Sequence, residues 1–213
     1  MRTTWHRGKG HPRTALAAAA VTVAAVLGAA CPTAAQAQPD SHAAGVAIGN
    51  AGGVAIDIGG AGDSTFAADE YGTGGIPDTK PADARSLPNF SATVSHPLPA
   101  ALWNTSRFTE SRYTVPDLTP GATYELRLYF MDWYFTRPGQ RVFDVAVNGS
   151  TVLKDFDMIA TAVARGADGQ QAFGVEKDIP VTVPDSGTVT VDFVRGAANQ
   201  PQVNALALVP AGS

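Results

Sequence analysis

The sequence predicts an all-β domain folded as an antiparallel β-sandwich. Three observations predict it: short segments in which apolar and polar residues alternate, turn residues between them, and no amphipathic helical pattern in the linking segments. A parallel α/β fold would need such helices between its strands. The clearest alternation runs through residues 124–131, which predicts a strand with one buried face. Its apolar face is Tyr124, Leu126, Leu128 and Phe130.

A β-hairpin is predicted immediately after this strand. Residues 143–147 alternate as a second strand and end in Asn148-Gly149, a pair that favours a two-residue turn because both residues tolerate positive φ. Residues 151–156 form the returning strand. Between the first two strands lies the aromatic run Trp133-Tyr134-Phe135. Core strands do not need such a run in a loop, so we expect it to grip a flat and partly apolar ligand.

The remaining elements are shorter, and together they place the domain at residues 54–210. Residues 61–75 and 76–92 are predicted to be loop, because they are rich in Gly, Asp and Pro without a sustained period. One weak helical turn is predicted within residues 158–172. Further strands are predicted at residues 54–58, 112–116, 177–183, 188–194 and 202–209.

The N-terminus has the organisation of an export signal. Residues 1–13 are basic, residues 14–30 are small and apolar, and Ala35-Gln36-Ala37 fits a small-x-small cleavage rule. We therefore predict a secretory signal peptide over residues 1–37, a flexible lead-in over residues 38–53, and a secreted, extracellular protein. A retained anchor and a lipid attached to Cys31 are the alternatives.

Charge and cysteine content exclude several classes of function. Removing the leader's four basic residues from fifteen leaves eleven against nineteen acidic residues, a net charge of −8. This argues against nucleic acid and anionic membranes as partners, and no membrane insertion is expected. The leader also contains the only cysteine, and the remaining histidines, His42 and His96, are far apart. Cys/His zinc patterns and a Cys-His nucleophile are therefore excluded, and no cofactor is expected.

Acidic residues suggest two alternatives, a hydrolase and a calcium site. The hairpin region holds four aspartates, and glycoside hydrolysis needs a pair of carboxyl groups. No neighbour in the sequence would raise the pKa of one of them, so no catalytic residue is predicted. A Gly-rich region holds four oxygen donors suited to calcium, but solvated loop acids are the preferred interpretation and no metal ligand is predicted. The two sets are Asp132, Asp144, Asp155 and Asp157, and Asp57, Asp63, Asp69 and Glu70.

Aromatic residues near predicted loops favour carbohydrate binding. An aromatic face stacks on the C–H face of a pyranose, and short polar side chains bond to its hydroxyls. The alternative is that some rings are core residues at the ends of the sandwich, with Trp103 and Trp133 the first candidates. The set is Tyr71, Trp103, Phe108, Trp133, Tyr134 and Phe135.

Several of these segments together resemble the malectin family over about residues 54–209. The most specific run is Arg141–Asp157, and the others are VAIDIGG at residues 54–60, the Asp69–Gly75 loop, LWNTSRF at residues 102–108, YFMDWYF at residues 129–135 and FVRG at residues 193–196. The resemblance implies a β-sandwich that binds carbohydrate without catalysis. In animal members the ligand is a glucose-capped glycan, and bacterial relatives are carbohydrate-binding modules, often attached to glycoside hydrolases.

The resemblance also implies five ligand-contacting residues. Tyr134 and Phe135 match two adjacent aromatics of the family, and Tyr71 matches a tyrosine of an early loop. Phe108 stands where the family has a tyrosine, so the ring is kept and a hydroxyl is lost. Asn199 stands where the family has an aspartate shortly before a proline, and it can accept and donate hydrogen bonds but has no charge.

These observations predict a secreted, non-catalytic carbohydrate-binding module. Its partner would be an oligo- or polysaccharide that contains glucose, recognised by aromatic stacking. The alternative is an extracellular protein-binding or adhesion module with a cell-surface or protein partner, because a fold does not determine its ligand. A glycan-cleaving enzyme is the third and weaker hypothesis.

Overall fold

The computed structural model describes residues 52–212. The predicted signal peptide, and the predicted lead-in up to residue 51, lie outside the described residues. Within residues 52–212 the chain forms two antiparallel sheets and one α-helix. None of the helices in that range is long and apolar enough to cross a membrane.

One sheet has four strands and the other has six, and all strand pairs are antiparallel. The first contains, in spatial order, β1 (Val54–Asp57), β10 (Ala205–Pro210), β4 (Thr123–Asp132) and β7 (Phe173–Thr182). The second contains β2 (Gly72–Thr79), β3 (Thr105–Val115), β8 (Val189–Ala198), β5 (Val142–Val147) and β6 (Ser150–Phe156). Its sixth strand, β9 (Gln202–Val203), pairs with β3. The helix α1 is Met158–Ala164, and 3-10 turns lie at Phe90–Ala92 and Ala100–Asn104.

The main core lies between the two sheets. Leu126, Leu128 and Phe130 of β4 are fully buried against residues of the six-stranded sheet. The ring of Phe130 lies 5.8 Å from that of Phe143 and 6.3 Å from that of Phe193, centroid to centroid. Apolar faces of two sheets packed in this way define a sandwich, which confirms the predicted fold class.

A second core covers the outer face of the four-stranded sheet. Tyr129 and Met131, on the opposite face of β4 from Phe130, are buried beneath residues 81–104, which we call the covering segment. Within that segment Phe90 stacks on Trp103 at 4.1 Å, and Trp103 meets Tyr129 edge-on at 5.8 Å. The prediction of a single buried face for this strand was therefore wrong at its C-terminal end. The alternative interpretation of Trp103, as a core residue at the end of the sandwich, is confirmed.

The edge strand β2 was predicted to be loop. It pairs with β3 from Gly72↔Tyr113 to Thr79↔Thr105, with a register shift between Gly74 and Ile76. Most of its side chains are exposed, so neither face of the strand has to be apolar. A strand without a buried face has no period of two, which is why the sequence pattern did not reveal it.

The helix α1 is longer than the single weak turn predicted. Asp157 caps it, because its carboxylate accepts a hydrogen bond of 2.9 Å from the backbone N–H of Ala160. Met158, Ile159 and Ala162 are buried, which gives the helix an anchored face.

The predicted hairpin turn gives a first test. Asn148 and Gly149 have φ values of 49° and 78°, as a two-residue type I′ turn requires. Gly149→Val should lower the free energy of unfolding by about 1 kcal/mol or more, because a β-branched residue is strained at positive φ. Apart from Gly149 and its two neighbours in the chain, no atom lies within 4 Å of the added Cβ, so the effect would come from the backbone. Urea unfolding measures it, with Gly149→Asn as the control that tolerates this conformation; equal stability of the two variants would contradict the assignment.

Candidate functional site

A buried aspartate shapes the loop that follows β4. Asp132 ends the strand and is fully buried. One oxygen of its carboxylate accepts hydrogen bonds from the backbone N–H groups of Tyr134 (2.9 Å) and Phe135 (2.8 Å), which bends the chain into a turn. The other oxygen lies 2.7 Å from Nε of Arg141, whose side chain is 5% exposed. We call residues 133–140 the aromatic loop.

Arg141 connects the aromatic loop to the segment before β9. Its Nη1 donates a hydrogen bond of 2.7 Å to the carbonyl of Gln200. Its guanidinium also lies over the ring of Phe135, 5.1 Å from the centroid, where the face of the ring attracts a cation. The guanidinium that positions the Phe135 ring is therefore itself held in an ion pair with Asp132.

Two further side chains hold the backbone of the loop. Arg85 of the covering segment donates hydrogen bonds to the carbonyl of Phe135 and, at 3.0 Å, to that of Gln171. The side-chain oxygen of Gln140 accepts from the backbone N–H groups of Thr136 and Arg137. The aromatic loop is thus held from outside by Arg85 and internally by Gln140.

A cavity of about 250 Å³ lies beside this loop, and we call it the aromatic cavity. The rings of Tyr134 and Phe135 are perpendicular, 5.0 Å apart, and Tyr134 is 74% exposed. Phe108 comes from β3, where it pairs with Gln202 of β9. The cavity is lined by Asp78, Phe108, Trp133, Tyr134, Phe135, Arg141, Asn199 and Gln202.

Short polar side chains complete the aromatic cavity. Asn199 is exposed and has a φ of 57°, which Asn tolerates better than most residues, and its side-chain oxygen accepts from the N–H of Gln200. Asp78 is exposed on the edge strand β2, and one of its oxygens accepts from the N–H of Thr79 at 2.9 Å. Gln202 is buried, with its amide nitrogen bonded to the carbonyl of Met131.

The structure brings together four of the five residues predicted from the sequence: Phe108, Tyr134, Phe135 and Asn199. Tyr71 is not among the lining residues. It precedes Gly72 at the start of β2 and packs against the main core, whereas Asp78 lines the cavity near the other end of that strand. Asp78 lies seven positions beyond Tyr71 along the edge strand, which corresponds to a distance on the order of 20 Å.

Four lining residues are not among the five predicted site residues: Asp78, Trp133, Arg141 and Gln202. Trp133 is 7% exposed in the second core, which agrees with its prediction as a core candidate. A sequence signal that could have revealed Arg141 is the combination of an acidic residue at the end of a strand with a basic residue just beyond an aromatic loop. Asp78 gives no signal, because the exposed strand that carries it has no apolar period.

Three of the four acids considered for calcium have partners within the protein. The fourth, Glu70, has its Oε1 buried without a hydrogen-bond partner, and burial raises its pKa. Asp57 accepts hydrogen bonds from the Thr105 hydroxyl (2.7 Å) and the Gly62 N–H (2.9 Å), while burial raises its pKa. Asp63 caps its own turn through the N–H groups of Thr65 and Phe66. Asp69 pairs with Arg107 at 2.5 Å and accepts from the Tyr113 hydroxyl.

The acids considered for hydrolysis are also engaged in structural contacts. Lys154, 2.8 Å from Asp144, lowers the pKa of that carboxyl, and the Asp155 N–H lowers it further. A general acid needs the opposite shift. Asp157 caps α1 and Asp132 is paired with Arg141.

A second cavity, of about 200 Å³, is lined by residues from the segments 88–93 and 165–174, with Phe90 and Phe173 outside the lining. Its lining contains no aromatic residue and is largely small or polar. It lacks a surface on which a flat ligand could stack, so the aromatic cavity is the better candidate for a binding site.

The comparison with protein families agrees with this architecture. The sequence profile of the family described as "Malectin domain" matches residues 46–206, which include every lining residue of the aromatic cavity. The chain belongs to the malectin family. Malectin-A from Xenopus laevis is 32% identical over 129 residues, which cover 53% of this chain and 43% of that protein. The chain therefore spans less than half the length of this curated relative.

Solved structures show the same fold at lower identity. The extracellular domain of ANXUR1 from Arabidopsis thaliana is 19% identical with a TM-score of 0.59, over 73% of this malectin-family chain and 47% of that chain. A chain in the structure of "plant peptide RALF23 in complex with FER and LLG2" is 19% identical with a TM-score of 0.54, over 75% and 48% of the two chains.

The buried ion pair predicts a large effect of one substitution. Asp132→Asn would leave the guanidinium of Arg141 buried without its charged partner, and should lower the free energy of unfolding by about 3 kcal/mol. Thermal and urea unfolding measure this. The matched control is Asp192→Asn, which removes the carboxylate of an ion pair whose Arg112 side chain is 59% exposed, and its melting temperature should change little. Equal destabilisation of both variants would contradict the role given to Asp132.

Proposed function

We propose that this malectin-family protein is a secreted, non-catalytic carbohydrate-binding module whose site is the aromatic cavity. The observation that carries the proposal is the exposed ring of Tyr134 on a fixed loop, beside Phe135 and Phe108 and facing short polar side chains. Flat apolar faces with a hydrogen-bonding rim match the two surfaces of a pyranose ring.

Each part of the cavity would have a distinct role. Tyr134 and Phe135 would stack on the C–H face of a sugar ring, and Phe108 would form a side wall. Asn199 would accept and donate hydrogen bonds to hydroxyls. Asp78 would accept hydrogen bonds from a pair of sugar hydroxyls. It would also supply a negative charge to a site in which Asn199 replaces the aspartate that is usual in the family. A carboxylate at this place would disfavour acidic sugars and leave neutral ones, such as glucose, as ligands.

The chemistry of the cavity supports binding rather than cleavage. Glycoside hydrolysis by the common route uses two carboxyl groups on either side of the scissile bond. Among the eight lining residues, Asp78 is the only carboxylic acid. The resemblance to family members that bind glucose-containing glycans also supports binding rather than cleavage. Secretion is supported separately, by the signal-like sequence of residues 1–37.

The alternative function is an extracellular module that binds a protein or peptide on the same fold. The plant complex that contains RALF23, FER and LLG2 favours it, because a chain of similar fold occurs there in an assembly with a peptide. In such a module Tyr134 would be an interface residue, since exposed tyrosines often anchor protein contacts.

Removing the exposed ring tests the proposed site. Tyr134→Ala should weaken oligosaccharide binding by about 1–2 kcal/mol, because a stacking face is lost. A single sugar site of this kind is expected to bind only with roughly micromolar to millimolar affinity, so the signal would disappear. Calorimetry with gluco-oligosaccharides selected on a glycan array measures the change. The melting temperature should stay close to that of the wild type, because the side chain is 74% exposed.

Two comparisons make this test specific. Val152→Ala, at an exposed position of β6, should leave binding unchanged. Asn199→Ala should weaken binding less than Tyr134→Ala, because it removes only uncharged hydrogen bonds. Binding by Tyr134→Ala as tight as that of the wild type would place the site elsewhere. Failure of the wild type to bind any glycan on the array would favour the protein-binding alternative.

A further inference from the structure

Three potential metal ligands meet on the outer face of the four-stranded sheet, away from the aromatic cavity. Glu176 and Asp178 are two residues apart on the edge strand β7, so their side chains lie on the same face of the sheet. His96 reaches them from the covering segment. Nδ1 of His96 lies 2.7 Å from a Glu176 oxygen and 4.0 Å from an Asp178 oxygen, and one ligand atom from each residue lies within 4.8 Å of the others.

The innermost of these side chains is held in a fixed orientation. The carboxylate of Glu176 is 1% exposed, and its second oxygen accepts hydrogen bonds from the backbone N–H groups of Ser95 (2.6 Å) and His96 (2.8 Å). These bonds leave the first oxygen facing the imidazole. Outer contacts that orient a ligand in this way are typical of metal sites.

The local charge favours a cation, and the position allows one to enter. Arg127 lies opposite Asp178 in the sheet register but is bound by Glu125 at 2.6 Å. Within residues 52–212, His96 is the only basic residue that pairs with Glu176 or Asp178. The side chains of His96 and Asp178 remain 39% and 35% exposed, so solvent reaches the cluster.

We propose that His96, Glu176 and Asp178 form a binding site for a divalent transition-metal ion, with zinc the representative ion. A zinc ion about 2.0–2.2 Å from each of three ligand atoms would separate those atoms by roughly 3.4 Å. The observed separations, from 2.7 Å up to 4.8 Å, bracket this value and need only small side-chain movements. An imidazole nitrogen with two carboxylates favours zinc or a neighbouring transition metal over calcium or magnesium, which prefer oxygen ligands alone.

A structural ion pair between His96 and Glu176 would be the simpler role for this cluster. That pair does not require Asp178, which lies 4.0 Å from the imidazole. A bound metal ion would use all three residues and would fasten the covering segment to β7. It would also stabilise the second core beneath that segment, so thermal stability should rise with metal.

The experiment is zinc titration of the tag-free, full-length protein by calorimetry, with melting temperatures measured in zinc and in chelator. The wild type should bind one zinc ion per chain with a dissociation constant in the micromolar range, and should melt at a higher temperature in zinc. Asp178→Asn keeps the size of the side chain and the His96–Glu176 pair. It should weaken zinc binding at least tenfold and leave the melting temperature in chelator unchanged. Asp185→Asn, an exposed acid in the turn before β8, should match the wild type.

Two results would overturn the proposal. An absence of zinc binding in the wild type would show that His96 and Glu176 form a structural pair only. Zinc binding of equal strength in the wild type and Asp178→Asn would show that the ion is held elsewhere in the chain.

Discussion

The ion pair between Asp132 and Arg141 is the interaction on which the candidate site depends. Burying two charges is costly unless the hydrogen-bonding positions are used, and removing one partner of such a pair leaves the other charge buried without compensation. Here the carboxylate accepts from two backbone N–H groups as well as from Arg141, and the guanidinium also contacts Gln200 and the ring of Phe135. The pair thus sets the turn, one ring and the neighbouring segment at once. A loop ordered before the ligand arrives loses less conformational entropy on binding.

The three consecutive aromatic residues of the loop occupy three different environments. Trp133 is buried in the second core, Phe135 is half-buried against the main core, and Tyr134 is exposed. The two outer rings therefore anchor the loop in separate cores, and the middle ring is free to contact a ligand. The covering segment helps to form the second core, and its Arg85 donates a hydrogen bond to the carbonyl of Phe135. A substitution in the covering segment can thus affect the aromatic cavity without lining it.

Sequence patterns predicted the parts of this fold in which burial has a simple period. The strand β4 and the hairpin after it follow from alternation and from Asn148-Gly149. The exposed strand β2 has no such period, and Asp78 was missed with it. Tyr71 was predicted at the site from its position beside a predicted loop and from the family resemblance. Its distance from the aromatic cavity depends on the pairing of β2 with β3, which sequence spacing does not reveal. Neighbouring rings such as Trp133 and Tyr134 differ in exposure because a distant segment covers one of them, and local sequence does not contain that information.

The central claim is that the cavity supported by Asp132 and Arg141 is where a carbohydrate binds. The most direct measurement is an NMR titration of the ¹⁵N-labelled protein with gluco-oligosaccharides of different linkage, following every assigned backbone amide. We predict that the amides of Phe108, Tyr134, Phe135 and Asn199 shift together and saturate with one dissociation constant, while those of the cavity at residues 88–93 and 165–174 stay unchanged. Shifts centred on that second cavity, or no shift at the aromatic loop with any oligosaccharide, would contradict the claim.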